Sequence, residues 1–116
     1  MTVGADLLSV AASGMDAQRA ALDVAARNVA AAEAAGPGGS YDREVPQFAL
    51  MRGAASDDDS GETIVFTGAR RQTGTSVDLL SEMIDVMNAS RAYEANASVF
   101  DLGKRLAERT IDVERL

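Results

Sequence analysis

Residues 76–116 contain no proline and a single glycine, Gly103, and that uninterrupted stretch limits what the chain can fold into. Apolar residues recur through it at helical spacing, which predicts one long helix of about 60 Å at 1.5 Å per residue. Thr75 or Ser76 is the expected N-cap, with Asp78 placed as in a capping box and suited to the positive end of the helix dipole.

This helix carries more apolar surface than one partner needs. One seam follows Leu79, Met83, Val86, Ser90, Tyr93, Ala97 and Phe100, widened near its start by Leu80, Ile84 and Met87. A second follows Ala92, Ala95, Val99, Leu102, Leu106 and Val113. A helix packed on one neighbour shows a single stripe of about 100°. Two seams imply two neighbours; the competing reading is one broad face packed on a single helix and a small sheet.

The other end is also helical. Residues 5–35 carry Leu8, Ala11, Met15, Gln18, Leu22, Ala25, Val29 and Ala32 at steps of three and four, with Gln18 the one polar interruption. Alanine dominates, so helix propensity is high, and Gly14 is a local soft spot worth about 1 kcal/mol relative to alanine. The run Gly36-Pro37-Gly38-Gly39 stops the helix.

Between the helices, residues 41–51 alternate only in part, and Pro46 lacks a ladder donor, so a strand there lies on an edge. Asp57-Asp58-Asp59 lacks the spacing of a calcium loop and reads as a solvated turn. Residues 62–67 form the best strand, and residues 68–75, with Arg70-Arg71, read as a return loop. The expected fold is therefore mainly α: long antiparallel N- and C-terminal helices, as a helical hairpin or coiled coil, with a small β-hairpin or loop region between them. The expected divisions of a single unit over residues 1–116 are a helix at 1–36, a linker and hairpin at 37–74, and a helix at 75–116.

Composition closes several functional classes. Aromatic residues are 4 % of the chain and tryptophan is absent, so the core must be thin. A net charge of −7 argues against nucleic acid and against an anionic membrane surface, because both need clustered Lys and Arg. No apolar run is long enough to span a bilayer, so direct membrane insertion is not expected. No Lys or Arg precedes Arg19, unlike a secretory signal, so any export is expected without a cleaved leader. His and Cys are both absent, which removes most nucleophile–base pairs and the usual zinc ligand sets. Glu82 and Asp85, three apart, read as an exposed acidic face. No enzyme activity, catalytic residue, cofactor, metal or small-molecule substrate is expected.

Three stretches point to a family. Ala12-Ser13-Gly14-Met15-Asp16-Ala17-Gln18, with Leu22-Asp23-Val24 and Asn28-Val29-Ala30, resembles an N-terminal motif that ends in an Asn-x-Ala-Asn-Ala box. Gly36-Pro37-Gly38-Gly39-Ser40-Tyr41-Asp42-Arg43 is similar to the Gly-Pro-Tyr-Arg linker after that box. Val77-Asp78, Glu82-Met83 and Ala89-Ser90-Arg91-Ala92-Tyr93-Glu94-Ala95-Asn96 resemble the C-terminal motif. Together they resemble the bacterial flagellar basal-body rod proteins. Two departures stand out: Ala31 replaces the second Asn of the box, and the middle is short, without the usual Gly-Tyr-Val strand.

The resemblance implies a structural subunit whose paired terminal helices stack into a helical tube with other rod proteins and with copies of itself. It further implies passage through the flagellar type III export apparatus and assembly in the periplasm. By resemblance, Asn28, Arg91, Tyr93, Glu94 and Asn96 are the expected inter-helix or inter-subunit contacts, and Val99, Leu102 and Leu106 of the second seam join them. The alternative is a soluble helical-hairpin adaptor or export chaperone that binds a partner helix.

Overall fold

The computed structural model describes residues 3–52 and 62–114. Helix α1 (Val3–Ala35) leads to strand β1 (Ser40–Arg52), then β2 (Glu62–Ser76) and helix α2 (Leu79–Glu114). The acidic turn expected around Asp57-Asp58-Asp59 lies outside the described residues.

The helices pack antiparallel: Gly14 of α1 lies against Asn96 of α2, while Asn28 shares a groove with Asp85 and Ala89. The buried face of α1 is small-sided, with Ala11, Ala17, Ala21, Val24, Ala25, Asn28 and Ala32 inside. Leu8, Met15, Gln18, Leu22 and Val29 of the predicted seam sit at its margins, half-buried. On α2 the buried residues are Glu82, Ala89 and Gly103. The largest fully buried side chains among the described residues are Glu82 and Val24, so close backbone approach replaces bulky packing here.

Gly14 is part of that approach. A Cβ there would lie 2.6 Å from Asn96 Oδ1, so the glycine expected as a soft spot instead makes room for the facing helix. At the end of α1, Gly36 adopts a φ of 76° and donates its N–H to Ala32 O at 3.1 Å, the left-handed cap that the sequence signals.

The expectation of a mainly α chain with a small hairpin or loop needs correction. β1 and β2 are 13 and 15 residues long and pair antiparallel from Ser40↔Ser76 to Arg52↔Glu62, making this a mixed helix-and-sheet protein. The stretch read as a return loop, residues 68–75, is strand: Arg70 and Arg71 stand opposite Val45 and Glu44. Its own residues have weak strand propensity, but β1 pairs with it at most positions from Gly68 to Thr75, and pairing overrides propensity. Register shifts between Tyr41 and Arg43 and between Gln47 and Phe48 give β2 an extra residue at each point. Such bulges bend a strand and sharpen its twist. The hairpin leans back along α1, where Ser13 Oγ donates to Ile64 O at 2.6 Å.

The start of α2 also differs from expectation. The ladder occupies the chain as far as Ser76, Val77 N–H donates to Gly39 O at 3.1 Å, and α2 begins only at Leu79, so Thr75 and Ser76 lie too far before its first turn to cap. Asp78 caps instead, accepting from the Ser81 amide at 3.2 Å and the Ser81 hydroxyl at 2.7 Å. Those bonds, the hydroxyl's first, hold the Asp78 carboxyl below its ordinary range.

The molecule measures 67 × 27 × 13 Å. Elements packed at about 8–10 Å cannot be stacked more than two deep in the thinnest direction, so outer faces stay uncovered.

Candidate functional site: a polar clasp and an uncovered helix face

Two features stand out, one inside the hairpin's base and one outside α2. Inside, β1 carries Tyr41 and Arg43 on alternate residues, so both side chains reach the same side of the strand. Tyr41 Oη donates to Glu82 Oε1 at 2.6 Å, and Arg43 Nε donates to the same oxygen at 2.7 Å. Arg43 Nη2 reaches on to Asp85 Oδ2 at 2.6 Å. Glu82 and Asp85, one turn apart, are thus bridged by a single guanidinium.

Glu82 is 1 % exposed, which corrects its reading as part of an exposed acidic face. Asp85, with its side chain 41 % exposed, remains at the rim. Glu82 Oε2 is buried with no hydrogen-bond partner among the described residues, so the cluster carries one unsatisfied acceptor. Burial and then the bond to Glu82 push the Tyr41 hydroxyl up to about 12. The bond to Glu82 likewise raises the Arg43 guanidinium further above its ordinary value.

A second fastening lies at the end of α1. Asn28, 3 % exposed, donates from Nδ2 to Glu44 O and accepts from Glu44 N–H, both at 2.8 Å. This amide pairs with β1 as another strand would. Arg27 adds an ion pair to Glu44 Oε2 at 2.8 Å. Chemically the cluster is a fastening: its donors end on protein acceptors and tie the hairpin's base to both helices. Around it lies an open groove of about 420 Å³ between α1, α2 and β1, floored by Ala21, Ala25 and Ala89.

Outside, α2 turns large apolar side chains to solvent. Leu80 is 69 % exposed, Ile84 48 %, Met87 56 %, Leu102 52 % and Val113 68 %. At 100° per residue these positions fall on one side of the helix, opposite Glu82, Ala89 and Phe100. Leu80, Ile84 and Met87 therefore do not widen the inner seam, as the sequence suggested; they begin an outer one.

The residues expected to make contacts are divided between these faces. Asn28 is internal and holds β1 instead of α2. Arg91 and Glu94 are exposed, Tyr93 is half-buried toward α1, and Asn96 is half-buried beside Gly14 with Nδ2 bonded to Ala92 O at 3.0 Å. Val99 and Leu102 are exposed and Leu106 is half-buried.

Tyr41, Arg43, Glu82 and Asp85 were not singled out from the sequence as a set. A signal for Glu82 was present: Glu82, Ala89, Asn96 and Gly103 recur every seven residues, and a carboxylate in a row of small, helix-contacting side chains faces inward.

Residues 72–113 match the family model described as flagellar basal body rod FlgEFG protein C-terminal. The flagellar basal-body rod protein FlgC of Aquifex aeolicus (strain VF5) is 28 % identical over 127 aligned positions, covering 90 % of this chain and 92 % of that protein. The chain is thus similar to flagellar basal-body rod proteins, through its C-terminal region to the family model and along most of its length to the Aquifex protein. Both matches are to rod proteins of the flagellar basal body. The region shared with the rod family model contains both acceptors of the clasp and the exposed stripe of α2. Two of the clasp's donors, Tyr41 and Arg43, come from the segment that resembles the rod linker, so the linker and C-terminal motifs are joined by hydrogen bonds.

Proposed function

We propose that this protein is a subunit of the periplasm-spanning drive shaft and self-assembles through its paired terminal helices. The observation that carries the reading is the outer face of α2, where Leu80, Ile84 and Met87 form an apolar cluster and Leu102 and Val113 follow on the same side, all exposed among the described residues. Covering such a face at about 25 cal/mol per Å² is a sufficient drive for association. Arg91, Glu94, Val99 and Leu102 lie on or beside it and are the proposed inter-subunit contacts. Tyr93, Asn96 and Leu106 are proposed to hold the helix pair together, and Asn28 to fix the hairpin. The whole of residues 1–116 acts as one rod unit. It reaches the periplasmic rod through the type III export apparatus and joins other rod proteins there. No catalysis is proposed.

The test is concentration-dependent assembly, followed by sedimentation and electron microscopy. Ordered filaments of fixed diameter support the reading, and Val99→Asp, at 39 % exposure, should impair assembly more than monomer folding. A helical monomer or dimer that never grows would favour the adaptor alternative.

A further inference from the structure

Met83 and Met87 stand one turn apart on the outward side of α2, 47 % and 56 % exposed, with Leu80 and Ile84 beside them. Both side chains are about half exposed, so an oxidant reaches them without opening the fold. Met15, by contrast, is half-buried on α1, and Met51, 53 % exposed, lies on the hairpin away from the stripe. Four of the five methionines thus provide their own comparison: two on the outer face of α2, one exposed elsewhere, one partly covered.

We propose that Met83 and Met87 form an oxidation site at which a peroxide switches off self-association; this rests on the assembly reading above. The sulfur lone pair attacks one peroxide oxygen, the O–O bond breaks, an S–O bond forms, and the second oxygen leaves as water. The thioether loses two electrons and the peroxide gains them. The product sulfoxide is polar and binds water strongly. Placed beside Leu80 and Ile84, it would have to be desolvated before a neighbour could cover this face. The folded subunit tolerates the change because neither residue belongs to the buried core. A thiol-dependent methionine sulfoxide reductase takes the oxygen back as water, the thiols closing to a disulfide, so the change is reversible.

The experiment treats the full chain with hydrogen peroxide, maps sulfoxides by mass spectrometry and measures association by sedimentation. Met83 and Met87 should oxidise faster than Met15, helicity should persist, and association should weaken about a hundredfold. The double variant Met83→Leu/Met87→Leu, close in volume and good in helices, should associate normally and resist peroxide. Met51→Leu should give no protection, and reductase with thiol should restore the wild type. The proposal is overturned if chains carrying both sulfoxides associate as well as untreated ones, or if the double variant is inhibited equally. If the untreated chain never associates, the assembly reading itself fails, a result distinct from either.

Discussion

Tyr41 and Glu82, forty-one positions apart, meet at 2.6 Å in the interior, and the carboxylate oxygen that accepts from the tyrosine also accepts from Arg43. A buried charge is tolerated when its partners are in place and becomes costly when one is removed. The hairpin's base and the first turns of α2 therefore depend on each other.

Glu82→Ala should lower unfolding free energy by about 3 kcal/mol, since it leaves the buried Tyr41 hydroxyl and the Arg43 Nε–H without their shared acceptor while Arg43 keeps only Asp85. Asp85→Ala, at the rim, should cost less than about 1 kcal/mol. Urea denaturation of both variants checks the ratio; equal losses would mean that the clasp is not centred on Glu82.

The Tyr41 hydroxyl, raised from an ordinary 10.0 to about 12, stays protonated in the folded chain when an unfolded tyrosine ionises. The raised value favours the folded state fully below pH 10, and that contribution disappears as pH climbs through about 12. Because the chain has two tyrosines, Tyr93→Phe isolates the signal. Ultraviolet titration of that variant should show no phenolate near pH 10 until the protein unfolds.

Gly14→Ala should gain nothing in the wild type, because the new Cβ meets Asn96 Oδ1 at 2.6 Å. In an Asn96→Ala background the same change should stabilise by about 1 kcal/mol, the ordinary helix preference for alanine over glycine. Thermal melts of the four chains in this double-mutant cycle should give a coupling of about 1 kcal/mol.

Asn28→Ala removes both bonds to the Glu44 backbone and leaves a strand N–H and C=O without partners. A loss of about 1–3 kcal/mol is expected. Hydrogen exchange at the Glu44 amide should accelerate well before exchange in the middle of α2. Uniform acceleration would show that the hairpin's base and the helices open together.

What was legible in the sequence is what local chemistry decides. Alanine content and the Gly36-Pro37 punctuation mark α1, and the apolar spacing of residues 76–116 marks α2, because helix formation and termination depend on neighbours in the chain. The second half of β2 was not legible: Gly68, Ala69, Arg70 and Arg71 are poor strand formers, and only the distant β1 makes them one. Glu82 was misjudged for the same reason, since its donors lie about forty residues away. Asn28 is singled out by resemblance as an inter-helix or inter-subunit contact, but its bonds to the backbone of Glu44 are a matter of tertiary placement that no spacing rule supplies.

Because Val77 N–H closes onto Gly39 O and the clasp sits just beyond, the two ends of the hairpin leave the helices side by side. That junction behaves as a socket. Sequence spliced between the strands far from it, longer, shorter or foreign, should leave the coupling of the helices intact, which makes the distal arm a suitable position for a fluorescent or affinity tag.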